Sequence, residues 1–143
     1  SLYNNLDYSF TAGHENGSFH YPSTQPGGGS DSLRMQLSFL KKFIEGFDFI
    51  HMQPDSNLIS KASLSHAEAR VLAEPRKQYA VYFYGALPSS IELMLPKGKY
   101  SISWMDTKTG EYTNREVVQS SNGKVVLSSP DYVGDIALRI VRK

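Results

Sequence analysis

Apolar and polar positions alternate over residues 99–106: Tyr100, Ile102 and Trp104 fall on one side of an extended chain, Lys99, Ser101 and Ser103 on the other. A period of two marks a strand with one buried and one wet face, which places Trp104 with Tyr100 and Ile102 in a core rather than on an exposed sugar platform. Asp106–Gly110 follows as a short hairpin turn, ending in a glycine where a positive φ costs little. Further strands are predicted near 57–63, 69–74, 78–85, 90–95, 111–119, 123–128 and 134–142. Residues 79–84, Tyr-Ala-Val-Tyr-Phe-Tyr, are apolar on both sides, which predicts a central or covered strand with its tyrosines in the core. Ile136, Leu138 and Ile140 give the last strand one apolar face. Asn122-Gly123, between Val117-Val118 and Val125-Val126, predicts a tight two-residue hairpin. Strands at this spacing predict a mainly β chain, an antiparallel β-sandwich of about seven or eight strands.

The period changes near the start. Ser30 or Asp31 is suited to cap a helix over about 31–46. Leu33, Leu37, Leu40 and Ile44 form one stripe of that helix, and Met35, Phe39 and Phe43 form a second beside it. An apolar arc that wide predicts a helix packed against two bodies. Gly46 is the expected end, with a turn at Gln53-Pro54-Asp55. Before the helix, residues 1–29 hold one candidate strand, Leu6–Thr11, in a long stretch of loop composition that closes on Pro26-Gly27-Gly28-Gly29.

Composition narrows the function classes. The net charge is +1, so no overall field draws nucleic acid or an acidic membrane. Arg70, Arg76, Lys77, Lys97 and Lys99 are interleaved with Glu74 and Glu92, a pattern of solvated surface rather than a nucleic-acid stripe. There is no cysteine, which excludes disulfides, thiolate metal sites and a thiol nucleophile. No apolar run approaches the ~20 residues of a membrane span. Ser1-Leu2-Tyr3-Asn4 has neither the basic nor the apolar region of a signal peptide, so a targeting signal is expected upstream.

Chemistry is sparse. His14-Glu15 lacks the second histidine of a zinc-protease helix, since position 18 is Ser18, and no metal or other cofactor is expected. The triple glycine lacks the lysine and hydroxyl of a phosphate loop. Asp131 and Asp135 bracket a turn that is expected to be plain surface rather than a calcium site. The opening stretch is the best functional candidate: Tyr3, Tyr8, Phe10, Phe19 and Tyr21 lie in sequence beside Asp7, His14 and Glu15, with no basic residue before Arg34. Aromatic faces stack on sugar rings and carboxylates accept from hydroxyls, while the alternative is that these rings form a seam between domains.

Two segments resemble known families. Leu6–Gly17, Gln25–Gly29 and the Leu33-Arg34-x-Gln36-Leu37 helix resemble the last part of a glycoside-hydrolase-like (β/α) barrel of bacterial polysaccharide-degrading proteins. Met52-x-Pro54-Asp55, Tyr79–Tyr82 and the run Gly98-x-Tyr100-x-Ile102-x-Trp104-x-Asp106-x-x-Thr109-Gly110 resemble the C-terminal β-sandwich named the "putative collagen-binding domain".

The resemblance implies two domains: residues 1–52 as a barrel remnant and 53–143 as an accessory sandwich. It implies a non-catalytic part of a secreted, periplasmic or cell-surface glycoside hydrolase, stabilising the barrel and completing its cleft. Asp7, Tyr8, His14 and Glu15 would then line the cleft rim, with no catalytic residue in this chain. The expected partners are the parent barrel in cis and a polysaccharide, with self-association of the isolated chain and no nucleic acid or membrane span. The alternative is an independent carbohydrate- or matrix-protein-binding module.

Overall fold

The computed structural model describes residues 31–60, 64, 66–86 and 90–143. Helix α1 runs Asp31–Glu45, with Asp31 in the first turn and Lys42 in the last, each sign suited to its end of the helix dipole. It ends where expected: Gly46 N–H still reaches the Lys42 carbonyl at 3.2 Å, and Phe47 N–H turns to Ile44 O at 3.0 Å. The expected cap Ser30 lies outside the described residues. The chain divides after Ser38, so that Phe39–Lys143 makes up one compact unit and the first half of α1 belongs to another.

Within the larger unit eight strands follow: β1 (Gln53–Pro54), β2 (Ala67–Glu74), β3 (Gln78–Gly85), β4 (Ser90–Leu93), β5 (Gly98–Asp106), β6 (Tyr112–Ser120), β7 (Val125–Ser128) and β8 (Asp135–Arg142). They form a six-stranded sheet in the order β1-β2-β3-β8-β5-β6 and a two-stranded sheet β4-β7, every pairing antiparallel. The mainly β sandwich read from the alternation is therefore the fold.

The inner face of the large sheet packs on the small one. Tyr79, Val81 and Phe83 of β3, Tyr100, Ile102 and Trp104 of β5, and Ile136, Leu138 and Ile140 of β8 are buried with Ile91, Leu93 and Leu127. Phe83 and Trp104 rings lie 5.8 Å apart, and Tyr79 meets Tyr100 edge-on at 6.4 Å. Burial pushes the Tyr100 hydroxyl pKa above its ordinary value, and that hydroxyl donates to Pro96 O at 2.9 Å.

A second, smaller core covers part of the outer face. Phe43, Phe47 and Met52 pack with Ala80, Met105 and Ala137. Two polar contacts pin this layer: Arg139 donates to Gly46 O at 2.8 Å with its guanidinium over the Phe47 ring, and Gln78 exchanges hydrogen bonds with the Asp48 backbone.

Three local readings need correction. The strand placed at 57–63 reduces, where described, to a single bridge between Ile59 and Leu93; residues 61–63 lie outside the described set. Gln53-Pro54, read as a turn, is instead strand β1, paired with Ala73 and Leu72. An edge strand tolerates proline because only one side of it is hydrogen-bonded. Asn122-Gly123 does not close a hairpin. The partner of β6 is β5 and that of β7 is β4, so residues 121–124 cross between sheets. Gly123 still supplies a positive φ of 84°, but β6 ends at Ser120, whose buried hydroxyl donates to Leu95 O at 2.7 Å.

The Asp106–Gly110 turn is as read. Asp106 Oδ1 accepts from the backbone of Lys108 and Thr109 at 2.7 and 3.2 Å, and Gly110 has φ 73°. A side chain at Gly110 is also excluded by packing, since a Cβ there would stand 2.5 Å from the Phe39 ring.

Candidate functional site

The outer face of the large sheet is not fully covered. Beyond the layer formed by Phe43 and Phe47, β3 presents Tyr82 and Tyr84 outward, 40% and 62% exposed, while Val81 and Phe83 point to the core. Alternation along the strand sends them there. Expecting the whole Tyr79–Tyr84 cluster in the core is thus right for Tyr79 and wrong for these two. A strand apolar on both faces does not distinguish cover by a neighbour from exposure of rings that carry a hydroxyl.

Cross-strand register supplies their surroundings. Tyr82 lies between Arg70 and Ala137, and Tyr84 between Glu68 and Asp135. The Tyr82 hydroxyl donates to Asp135 Oδ2 at 2.8 Å, and Thr107 Oγ1 donates to Asp135 Oδ1 at 2.9 Å. Burial first, then the Asp135 carboxylate, pushes the Tyr82 hydroxyl up to about 12. Arg70 Nη2 pairs with Glu68 Oε2 at 3.1 Å, and Lys108 Nζ donates to Val133 O at 2.9 Å. Both carboxylates are engaged as acceptors. The arrangement offers ring faces rimmed by fixed donors and acceptors, which suits binding and not proton transfer.

Asp7, Tyr8, His14 and Glu15, the residues expected at a cleft rim, lie outside the described residues. Trp104 and Tyr100 are core, as their alternation predicts. Asp135 serves two hydroxyls, and among the described residues no group of three or more histidine, aspartate or glutamate side chains is placed to hold a metal ion. Among the described residues, no helix is long and apolar enough to cross a membrane.

Strands β1 to β7, the Asp106–Gly110 hairpin and the start of β8 fall inside a stretch, residues 53–137, that matches the family model "Putative collagen-binding domain of a collagenase". The chain belongs to that family. Among solved structures, the family member is similar to a protein titled "Glycoside hydrolase", with 21% identity and a TM-score of 0.59 over 83% of this chain and 30% of that one. It is also similar to a glycoside hydrolase family 5 protein from Bacteroides vulgatus ATCC 8482, with 17% identity and a TM-score of 0.59 over 79% of this chain and 25% of that one. The family member therefore spans less than a third of the length of either, and at this identity the likeness is one of fold. No curated protein matches its sequence.

Proposed function

We propose that this chain is the non-catalytic, C-terminal accessory part of a secreted glycoside hydrolase, and that it docks on and stabilises the catalytic (β/α) barrel in cis. In this reading residues 1–52 close the barrel and 53–143 are the accessory sandwich, with Asp7, Tyr8, His14 and Glu15 on the rim of a polysaccharide cleft. One observation carries it. Among the described residues, five of the eleven exposed large apolar side chains fall within sixteen residues on α1 and the turn after it, at Met35, Leu37, Leu40, Phe49 and Ile50, the last 75% exposed. A helix that keeps Phe43 on the sheet and Leu40 in water, followed by a turn whose Phe49 and Ile50 are both exposed, is shaped for a second body. The similarity to chains about three times as long supports the same partner.

The test is thermal unfolding of the full-length hydrolase with Leu40→Glu and Ile50→Glu together. The barrel transition is expected to fall by several degrees while the sandwich transition holds, because both residues are exposed here and contribute little to the sandwich core. An unchanged barrel transition overturns the docking. By the same logic the isolated chain self-associates through these side chains, and the double substitution makes it monomeric.

A second reading has its own observation. Tyr82 and Tyr84 side by side on the outer face, rimmed by Arg70, Glu68 and Asp135, support an independent carbohydrate-binding module, or a matrix-protein module as the family's name suggests. Tyr84→Ala should then abolish retardation of the chain in glycan-containing gels or its capture on collagen.

A further inference from the structure

Cations scattered along the sequence meet at one end of the large sheet, the end away from Tyr84. The β2–β3 turn brings Arg76 and Lys77, the approach to β5 brings Lys97 and Lys99, and the end of β8 brings Arg142 and Lys143. Backbone bonds lock them together: Arg142 N–H donates to Lys77 O at 2.8 Å and Lys143 N–H to Lys99 O at 2.9 Å. The Arg142 guanidinium lies across the same end, donating to Arg76 O at 3.4 Å and Lys97 O at 3.5 Å. All of these cations are exposed.

Among the described residues, two carboxylates share the end. Glu74 pairs with Lys77, and this raises the lysine pKa above its ordinary value; Asp48 holds His51 at 2.7 Å. Against a whole-chain charge of only +1, six cations facing two carboxylates make a concentrated positive field. Arg76 also has φ 70°, a left-handed conformation uncommon outside glycine, fixed by its N–H donating to the Tyr79 hydroxyl at 2.9 Å. Beside it opens a shallow depression of about 430 Å³, lined by Asp48, Glu74, Arg76, Lys77, Gln78 and Arg142 among others.

We propose that this end of the sandwich binds a linear anionic glycan, one carrying sulfate or carboxylate groups along its length. The inference stands on the gathered cations and does not depend on barrel docking. Lysine and arginine supply the field for the anionic groups, while the carboxylates of Glu74 and Asp48, each with more lone pairs than its present partners use, offer acceptors for hydroxyls. A nucleic-acid backbone fits less well. Tyr79 and Tyr100, the aromatics of the strands at this end, are buried and offer no ring on which a base could stack.

The experiment is a binding titration of the full 143-residue chain at low and high salt. The probes are dextran sulfate and polygalacturonate, with neutral dextran and a single-stranded DNA oligonucleotide alongside. The expected result is binding to one or both anionic glycans that weakens with salt, no binding to neutral dextran, and weaker binding to DNA. Lys97→Gln, Lys99→Gln and Lys143→Gln together should weaken glycan binding about tenfold, since each removes an exposed charge contact. Lys41→Gln, Lys42→Gln and Arg115→Gln remove the same charge from other places and should leave it within about twofold. Melting curves of both variants should overlay the parent. Equal losses in the two variants would overturn a localised site, and no glycan binding, or DNA bound as tightly, would overturn the proposal.

Discussion

On the inner face of the six-stranded sheet, Val81, Phe83, Trp104 and Leu138 have no exposure, whereas on the outer face Tyr82 and Tyr84, from the same strand as Val81 and Phe83, keep 40% and 62% of theirs. The inner side is sealed by a second sheet and is almost wholly apolar. The outer side is covered only where Phe43, Phe47 and Met52 lie on Ala80, Met105 and Ala137, and there the contacts mix rings with the charged Arg139 and the amide of Gln78. The inner face accordingly holds the fold together, and the outer face remains available for partners. If that division is right, substitutions should lose their effect in the order inner core, outer layer, open outer face.

Trp104→Ala tests the first place and should cost the most, about 3–5 kcal/mol, from lost burial and the cavity left against Phe83. Trp104 carries one built-in handicap: its Nε1–H is buried with no hydrogen-bond partner among the described residues. A buried donor left unpaired costs about 1–3 kcal/mol, so Trp104→Phe should lose much less than the change in volume suggests. Urea unfolding of the two variants measures both. Equal losses for Ala and Phe would mean that the indole edge does matter to the core.

Phe47→Ala probes the outer layer. It removes the ring that Phe43 meets edge-on at 5.3 Å and that the Arg139 guanidinium covers at 5.2 Å. Here a loss of about 2–3 kcal/mol is expected, below that of Trp104→Ala, because a one-sided layer collapses more readily around a deletion than a sealed core does. A loss as large as that at Trp104 would break the comparison, because the outer layer would then be a second essential core.

What the sequence made legible follows the same division. Strand alternation identified the inner residues of β5 and β8, and local composition the Asp106–Gly110 hairpin, because both signals are local: a period of two, and an aspartate and a glycine at the right ends of a turn. The end of α1 at Gly46 was legible for the same reason. Pairing partners were not. Asn122-Gly123 has the composition of a hairpin, yet β6 and β7 belong to different sheets, and only tertiary packing decides that. The outward tyrosines were hidden because Tyr82 and Tyr84 look as apolar in sequence as Val81 and Phe83. The cationic end was hidden by distance along the chain, since Arg76 and Arg142 come together only through the sheet.

The smallest change in the series is Tyr82→Phe, on the open face. At neutral pH it removes one hydroxyl contact to Asp135, whose other oxygen stays with Thr107, so the loss should be about 0.5–1 kcal/mol. Alkaline pH sharpens the test. The Tyr82 hydroxyl is pushed up to about 12 in the folded chain, against an ordinary value of 10.0, because partial burial and the neighbouring carboxylate oppose the phenolate. The folded state thus holds this proton more tightly than the unfolded chain does. Its contribution is fully present below pH 10 and is lost as pH rises through about 12. Melting temperatures of the parent and Tyr82→Phe should therefore converge across that window, with the parent falling more steeply, while the remaining tyrosines act alike in both. Parallel curves would mean that Tyr82 is as solvated as a free phenol, and that the open face begins one residue earlier on β3 than its bond to Asp135 implies.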